Sequence, residues 1–536
     1  MARYIRAESG EGKRRRGMER PRIPGYLSRF GERQGRTLKS FAELQAGFGP
    51  IWQLNTPGQT VEHAVIALPS FALGESTLAH YAARLSALEH RYLVAMLMMN
   101  RMPNCRFVYL STEEPAAEVI EYYFSLFPPE KQAHVRQRFV AITLPDHTAR
   151  SVADKLLGRP DTMAMLREAI GDVPAFIEPW NVTDHEVQVA VALQAPINGT
   201  APELWPLGFK SQGRRIFRAA GVPIPFGRED VRTVDDVVEA IADIRRVRPE
   251  APGVVIKHDN SASGDGNVVV RFAKLADASP EGLRRHVAGL PEWYLRDLKA
   301  GGIVEELITG SDFTSPSAQV DITPFGHIHA IATHEQVLGG EDGQVYQGCR
   351  FPARPEYAPR LAEYATMIAQ EIAPLGVLGR FAVDFACARD AKGEWQVYAL
   401  EMNLRKGGTT HPFAVLRNLV PGHYDPKAGL WFNHAHEPRF YVSTDNLVDA
   451  RWHGLPPAVV IKAVNDADLG FHHARGWGVV LHMLSCLAVD GRFGLTAIGT
   501  SVEHAQALFD AVRAVVERAV AETGYVAPPV KTPAHG

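Results

Sequence analysis

The sequence predicts a multidomain α/β protein, and three observations carry that expectation. From Glu62 onward, apolar runs of strand length alternate with amphipathic helical stretches. That alternation is the pattern of a largely parallel sheet covered on both faces. The chain has 536 residues, more than one hydrophobic core usually serves, so two to four domains are expected. Finally, the stretch from Gly379 to Pro412, GRFAVDFACARDAKGEWQVYALEMNLRKGGTTHP, reads as a strand, a turn and a strand that set two acids and an amide on one face.

Composition narrows the function classes. The formal charge is −3, which gives no support to a nucleic-acid or membrane-surface role. The four cysteines, Cys105, Cys349, Cys387 and Cys486, are scattered without CxxC spacing, which argues against a disulfide framework or a zinc–thiolate site and for a reducing cytoplasm. The longest apolar run, Tyr92 to Met99, is too short to span a bilayer, and the basic N-terminus is not followed by an apolar export segment.

Residues 1–40 hold KRRR and further arginines among Gly, Pro and Ser, and read as a mobile basic arm. The expected α/β domain of residues 41–205 follows. VEHAVIALPS, RFVYLST, RFVAITLPD and PAFIEPW are its strands. LAHYAARLSALEHRYLVAML, AAEVIEYYFSLF and the stretch through ADKLLG and AMLREAIG are its helices. PSFALGES, after the first strand, lacks a G-x-G-x-x-G fingerprint and reads as a capped strand-to-helix turn. A basic helix ends at Gly221 and runs into two prolines, the usual stop signal, and a boundary is placed near residue 205. The next region, 206–425, continues after that basic helix with the helix 234–247 and the strands GVVIKHDN and NVVVRFAKL. It continues through IVEELI, two strands near Gln319 and Thr333, and a helix from Pro359 to Ile372. A smaller α/β domain is expected over 426–525, with a frayed tail at 526–536.

Chemistry concentrates in the middle region. If RFAVDFAC and WQVYALEMN are hairpin arms closed at Lys392-Gly393, Asp384 faces Glu401 and Asn403 shares their face. Phe381, Val383, Phe385, Tyr398, Leu400 and Met402 then fill the other side. Two buried carboxylates opposite each other cost several kcal/mol unless a cation lies between them, which argues for a metal. Upstream, Lys257 sits on a strand entering the loop SASGDGN, over 261–267. Ser263, Gly264 and Gly266 there let backbone N–H groups approach a phosphate while the lysine supplies a compact cation. A strand ending in Glu305, Glu306 and Leu307 offers its backbone to a planar base edge, and Asp312, a short loop later, can take a ribose diol in a bidentate way. No P-loop, H-E-x-x-H or G-x-S-x-G occurs. His334-Glu335 and His472-His473 lack partners at ligand spacing, and Cys349 reads as a small core residue.

This order of lysine, glycine loop, acidic strand end and metal hairpin resembles the ATP-grasp superfamily of carboxylate–amine ligases, over roughly Leu207 to Pro421. The resemblance implies that Asp384, Glu401 and Asn403 hold Mg²⁺, two ions or Mn²⁺ in their place. It makes Lys210 and Lys257 the nucleotide-phosphate lysines, Glu305 to Leu307 the adenine hinge, and Asp312 the ribose acid where the family more often has glutamate. Arg405 falls near the transferred phosphoryl group, and Arg350, Arg380 and Lys406 are candidates for gripping carboxylates. The whole chain resembles the pheganomycin-type peptide ligases. That layout implies a Rossmann-like pre-ATP-grasp domain, an ATP-grasp core of two α+β subdomains and a small α/β C-terminal domain. It further implies ATP as co-substrate, a small-molecule carboxylate and an amine or short peptide as partners, no nucleic acid, no membrane, and a homodimer. The competing readings are an ATP-grasp carboxylase or other phosphoryl-transfer enzyme, separated by product mass, and a nucleotide-binding regulator without turnover.

Overall fold

The computed structural model describes residues 3–6, 38–71, 78, 81–261, 266–339 and 345–528. The chain forms two compact units, one of residues 1–202, 411–422 and 433–536, the other of 203–410 and 423–432. The C-terminal segment from Asn433 therefore groups with the first unit.

The first unit contains a five-stranded sheet of β1 (Arg3–Arg6), β2 (His63–Leu68), β3 (Cys105–Ser111), β4 (Phe139–Thr143) and β5 (Ala175–Pro179), in the order β1-β4-β3-β2-β5. Every pairing is parallel. All six residues of β2, HAVIAL, are buried, as a central parallel strand requires. Helices over Val152–Leu157, Pro160–Ile170 and Asp184–Leu193 cover one face through Ala153, Leu156, Met163, Leu166 and Val189. The last of these starts at a capping box, Thr183 accepting from the backbone while Glu186 reaches back to the N–H of Thr183. In Leu78–Leu97, expected as one amphipathic helix, Leu85–Glu89 is α-helical, while Ala82–Arg84 and the residues from His90 tighten to three-residue turns. Arg3–Arg6 pair with β4 as an edge strand, so this part of the expected arm belongs to the sheet. Residues 1–2 and 7–37 of the arm, much of the turn PSFALGES and the end of the tail lie outside the described residues.

The second unit has two α+β lobes. In the smaller one, β6 (Gly227–Arg228), β7 (Gly253–His258), β8 (Asn267–Arg271) and β9 (Gly302–Glu306) pair antiparallel in the order β6-β9-β7-β8. The helix Val234–Val247 packs Val237, Ile241 and Ile244 against Val254, Ile256 and Val304. In the larger one, β10 (Ser311–Thr314), β11 (Pro316–Ile322), β12 (Ile328–Gly339), β13 (Val345–Phe351), β14 (Gly379–Arg389) and β15 (Trp395–Asn403) form an antiparallel sheet. Its order is β10-β14-β11-β12-β13, with β15 on β14. The helix Ala358–Ile372 lays Leu361, Ala365, Ile368 and Ile372 on its core. That helical spacing buries side chains worth about 1.5–3 kcal/mol for each large one. Two short strands, β16 (Gly422–Asp425) and β17 (Leu430–Asn433), follow.

The rest of the first unit contributes β18 (Pro438–Val448), β19 (Gly478–His482) and β20 (Arg492–Gly499), with β20 antiparallel to both others. Ser501 caps the helix Val502–Thr523, which buries Ala505, Leu508, Val512 and Val516 along one stripe. Among the described residues no helix is long and apolar enough to cross a membrane.

Candidate active site

The hairpin β14–β15 opposes Asp384 to Glu401 and Ala382 to Asn403. Asp390 builds its turn by accepting from the N–H groups of Lys392 and Glu394, and Gly393 takes the positive φ of +81° that the reversal needs. Asn403 Nδ2 donates to Asp384 Oδ2 at 2.9 Å, and Gln336 Nε2, from β12, donates to Oδ1 at 3.1 Å. One expectation about the hairpin is corrected. The pairing shifts between Asp384 and Phe385, so that Trp395, Val397 and Ala399 face the core in place of Tyr398 and Leu400. The N–H of Ala399 bonds to the carbonyl of Pro223 at 2.8 Å, and the extra residue of this bulge reverses the inward face of the strand's first half.

Glu401 Oε2 lies 3.2 Å from Lys210 Nζ, which also donates to Ser261 Oγ at 3.0 Å. Burial opposes ionisation of Glu401, but Lys210, Lys257 and Arg405 outweigh it and hold its carboxyl below the usual range. Asp384 behaves in the opposite way: burial and the facing Glu401 charge push it up to about 7. Two carboxylates and an amide thus share one face, and one of the acids lacks enough positive charge to stay ionised. Hard oxygen donors short of a counter-charge suit Mg²⁺. The donor set fits the ion that the resemblance implies.

Lys210 opens the helix Lys210–Ala219, which Asp259 anchors by accepting from Ser211 N at 2.8 Å and Ser211 Oγ at 2.7 Å. Lys257, on β7, is ion-paired with Glu305. Arg214 Nη1 reaches the other oxygen of Glu305 at 2.8 Å, while its Nε bonds to Glu229 and its Nη2 to Pro225 O. Both Arg214 and Glu305 are buried. The Glu305 carboxylate is therefore a bracket for Lys257. Glu306 and Leu307 have their N–H groups engaged by the carbonyls of Phe226 and Gly253. Removing one member of such a network strands the other charges. Glu305→Ala is expected to destabilise the protein by about 3–5 kcal/mol, read from chemical denaturation.

The remaining candidates are dispersed. Gly266 closes against β7: a Cβ there would come within 2.6 Å of Ser261 Cβ, so only glycine fits. Ser263 and Gly264 lie outside the described residues. Asp312 is exposed, at φ +57°, and pairs with Arg389 at 3.1 Å. Arg380 grips Asp321 through two hydrogen bonds of 2.7 and 2.9 Å. Arg350 is exposed and faces Glu335 across the β12–β13 pair. Arg405 and the buried Lys406 follow directly on the hairpin, Arg405 Nη1 donating to the Lys406 carbonyl at 3.3 Å. His334 is fully buried, which pushes its imidazole down to about 3, and all four cysteines are buried.

Comparison with known proteins places this geometry. Residues 459–512 match the family model of the PGM1 C-terminal domain. The chain is 30% identical over 433 residues to the L-propargylglycine–L-glutamate ligase of Streptantibioticus cattleyicolor, an alignment that spans 78% of this chain and 86% of that one. It is 23% identical over 425 residues to IQ motif-containing protein H of Danio rerio, covering 69% of this chain and 40% of that one. Among solved structures it resembles the biotin carboxylase of Campylobacter jejuni in complex with β,γ-ATP. The TM-score is 0.54 at 14% identity, covering 87% of this chain and 95% of that one. The biotin carboxylase domain of the Hydrogenobacter thermophilus 2-oxoglutarate carboxylase gives 0.51 at 13%, covering 86% and 90%. These two likenesses show the fold, and the ligase relative shows the family: the chain is an ATP-grasp carboxylate–amine ligase of the pheganomycin type, an ATP-dependent enzyme that forms C–N bonds.

Proposed function

We propose that the enzyme activates the carboxylate of an amino acid or amino-acid-like compound as an acyl phosphate and couples it to the amine of an amino acid or short peptide. The observation that carries this reading is the Asp384–Glu401–Asn403 face with Lys210 and Lys257 beside it. A relative that ligates L-propargylglycine to L-glutamate supports the substrate class.

Asp384, Glu401 and Asn403 would hold Mg²⁺, two ions in our reading, with Mn²⁺ able to replace them. Bound there, the ions supply charge neutralisation for the β- and γ-phosphates of ATP. Lys210 and Lys257 bind the phosphates. Glu305 and Arg214 keep Lys257 extended toward them, and Ser261 orients Lys210. A substrate carboxylate oxygen attacks the γ-phosphorus and the bond to ADP breaks. The amine nitrogen then attacks the acyl carbon, phosphate leaves, and the nitrogen gives up a proton. Arg405, and Lys406, Arg350 and Arg380 in turn, are the cations proposed for the transferring phosphoryl group and the substrate carboxylates. Most of the acceleration comes from holding these groups in place against developing charge. The small-molecule partners and a homodimer belong to the same proposal.

The experiment is a screen of carboxylates against amines and short peptides, read as ADP release and product mass. ADP formed only when both partners are present, with a product of their summed mass less water, supports the reading. ADP formed from bicarbonate with a carboxylated product overturns it.

A further inference from the structure

Three polar side chains of the first unit meet one another. His411 stands on the helix Thr410–Leu419, Asp445 on β18 and His482 on β19, and all three are buried. His411 Nε2 lies 2.8 Å from Asp445 Oδ1, His482 Nε2 lies 2.9 Å from the same oxygen, and the two Nε2 atoms are 3.2 Å apart. Three donor atoms thus mark a triangle with nothing but themselves along its edges.

The surroundings keep that triangle in place. Arg91 Nη1 holds the other oxygen, Asp445 Oδ2, at 2.6 Å and stacks over the Trp180 ring at 4.4 Å, so Oδ1 is turned toward the imidazoles. Gly494, opposite His482 on β20, leaves room for the ring: a Cβ there would come within 2.2 Å of His482 Nε2. If the Nε2 atoms carry protons, two N–H groups crowd onto one carboxylate oxygen. If they do not, two lone pairs face each other and an anion, an arrangement that a cation relieves.

We infer that His411, Asp445 and His482 form a binding site for a divalent transition-metal ion, distinct from the magnesium set. Two imidazoles and one carboxylate suit zinc and its neighbours rather than Mg²⁺. Donors around a tetrahedral ion with bonds of about 2.0–2.1 Å stand about 3.3 Å apart, close to the edges observed here. Three protein ligands leave the fourth position to water. Both Nδ1 atoms lack a hydrogen-bond partner, so neither ligand ring has the outer support that raises affinity tenfold to a hundredfold. The ion is accordingly held stoichiometrically but is removable by chelators. Its effect is to pin the helix that follows Arg405 and Lys406 in the chain to the strands β18 and β19.

The test uses untagged full-length protein, stripped with a chelator and titrated with Co²⁺ in excess Mg²⁺. One Co²⁺ per chain with visible ligand-field absorption is expected, unchanged in Glu401→Gln and weakened at least about tenfold in His411→Gln and His482→Gln. Wild-type protein that takes up no Co²⁺ under these conditions, or a His411→Gln variant that binds it as well as wild type, overturns the inference. X-ray absorption at the zinc edge on reloaded wild-type protein needs no variant. Imidazole scattering supports the site, and an oxygen-only shell overturns it.

Discussion

Glu401→Gln is expected to lower substrate-dependent ADP release by at least about 10²–10³-fold while circular dichroism stays that of the wild type. The side chain has two tasks that one charge performs. It faces Asp384 across the hairpin, where the cation is proposed, and it lies 3.2 Å from Lys210 Nζ. The amide keeps the volume and a hydrogen-bonding oxygen but removes the charge that balances Lys210 and binds the ion. The loss should fall on kcat rather than on KM for the acid or amine, because the phosphoryl group is where charge develops. Turnover near the wild-type rate would remove Glu401 from the metal set.

Asp384→Asn is expected to abolish turnover and yet stabilise the nucleotide-free protein. The folded-state acid is raised to about 7 by burial and by Glu401, against about 3.9 in an unfolded chain. A raised carboxyl binds more protons folded than unfolded, so its contribution is full below pH ~4 and is lost as pH rises to about 7. At pH 8 the wild-type protein therefore folds against an ionised, under-compensated carboxylate. The amide removes that penalty, and Asn403 can turn its own amide over to keep the contact. A gain of about 1–3 kcal/mol at pH 8, vanishing by pH 4, follows once the coupling to Glu401 is discounted. Mg²⁺ with ATP should stabilise the wild type and leave the variant unmoved. Denaturation curves at the two pH values check this, and a variant less stable than wild type at pH 8 would contradict it.

The site's acids were legible because a strand has a period of two and a turn has a recognisable chemistry. Asp384, Glu401 and Asn403 could be set on one face from their spacing and Gly393 alone. The bulge next to them could not, since it depends on Ala399 meeting Pro223, a partner far off in the chain. Arg214 and Gln336 were invisible for a related reason. One arginine in the run KSQGRRIFR and one glutamine in a long strand carry no mark that distinguishes them from their neighbours until β9 and β14 come alongside. Glu305 was singled out for its backbone, whereas its carboxylate is the group that contacts Lys257. The parallel sheet was clear from its continuous apolar strands, but Arg3–Arg6 could not be read as a fifth one, because four residues at an edge have no pattern of their own. Neither could the chain's return to the first unit at His411 be foreseen. The same return brings His411 to Asp445 and His482, which no local motif connects.

The central claim is transfer of the γ-phosphoryl group to a substrate carboxylate on the face made by Asp384, Glu401 and Asn403. Oxygen-18 in the carboxylate of the acid substrate tests it most directly. One labelled oxygen recovered in inorganic phosphate, together with ADP and the amide, is the result predicted. Label recovered in AMP, with pyrophosphate released, or an amide formed with unlabelled phosphate, would contradict it.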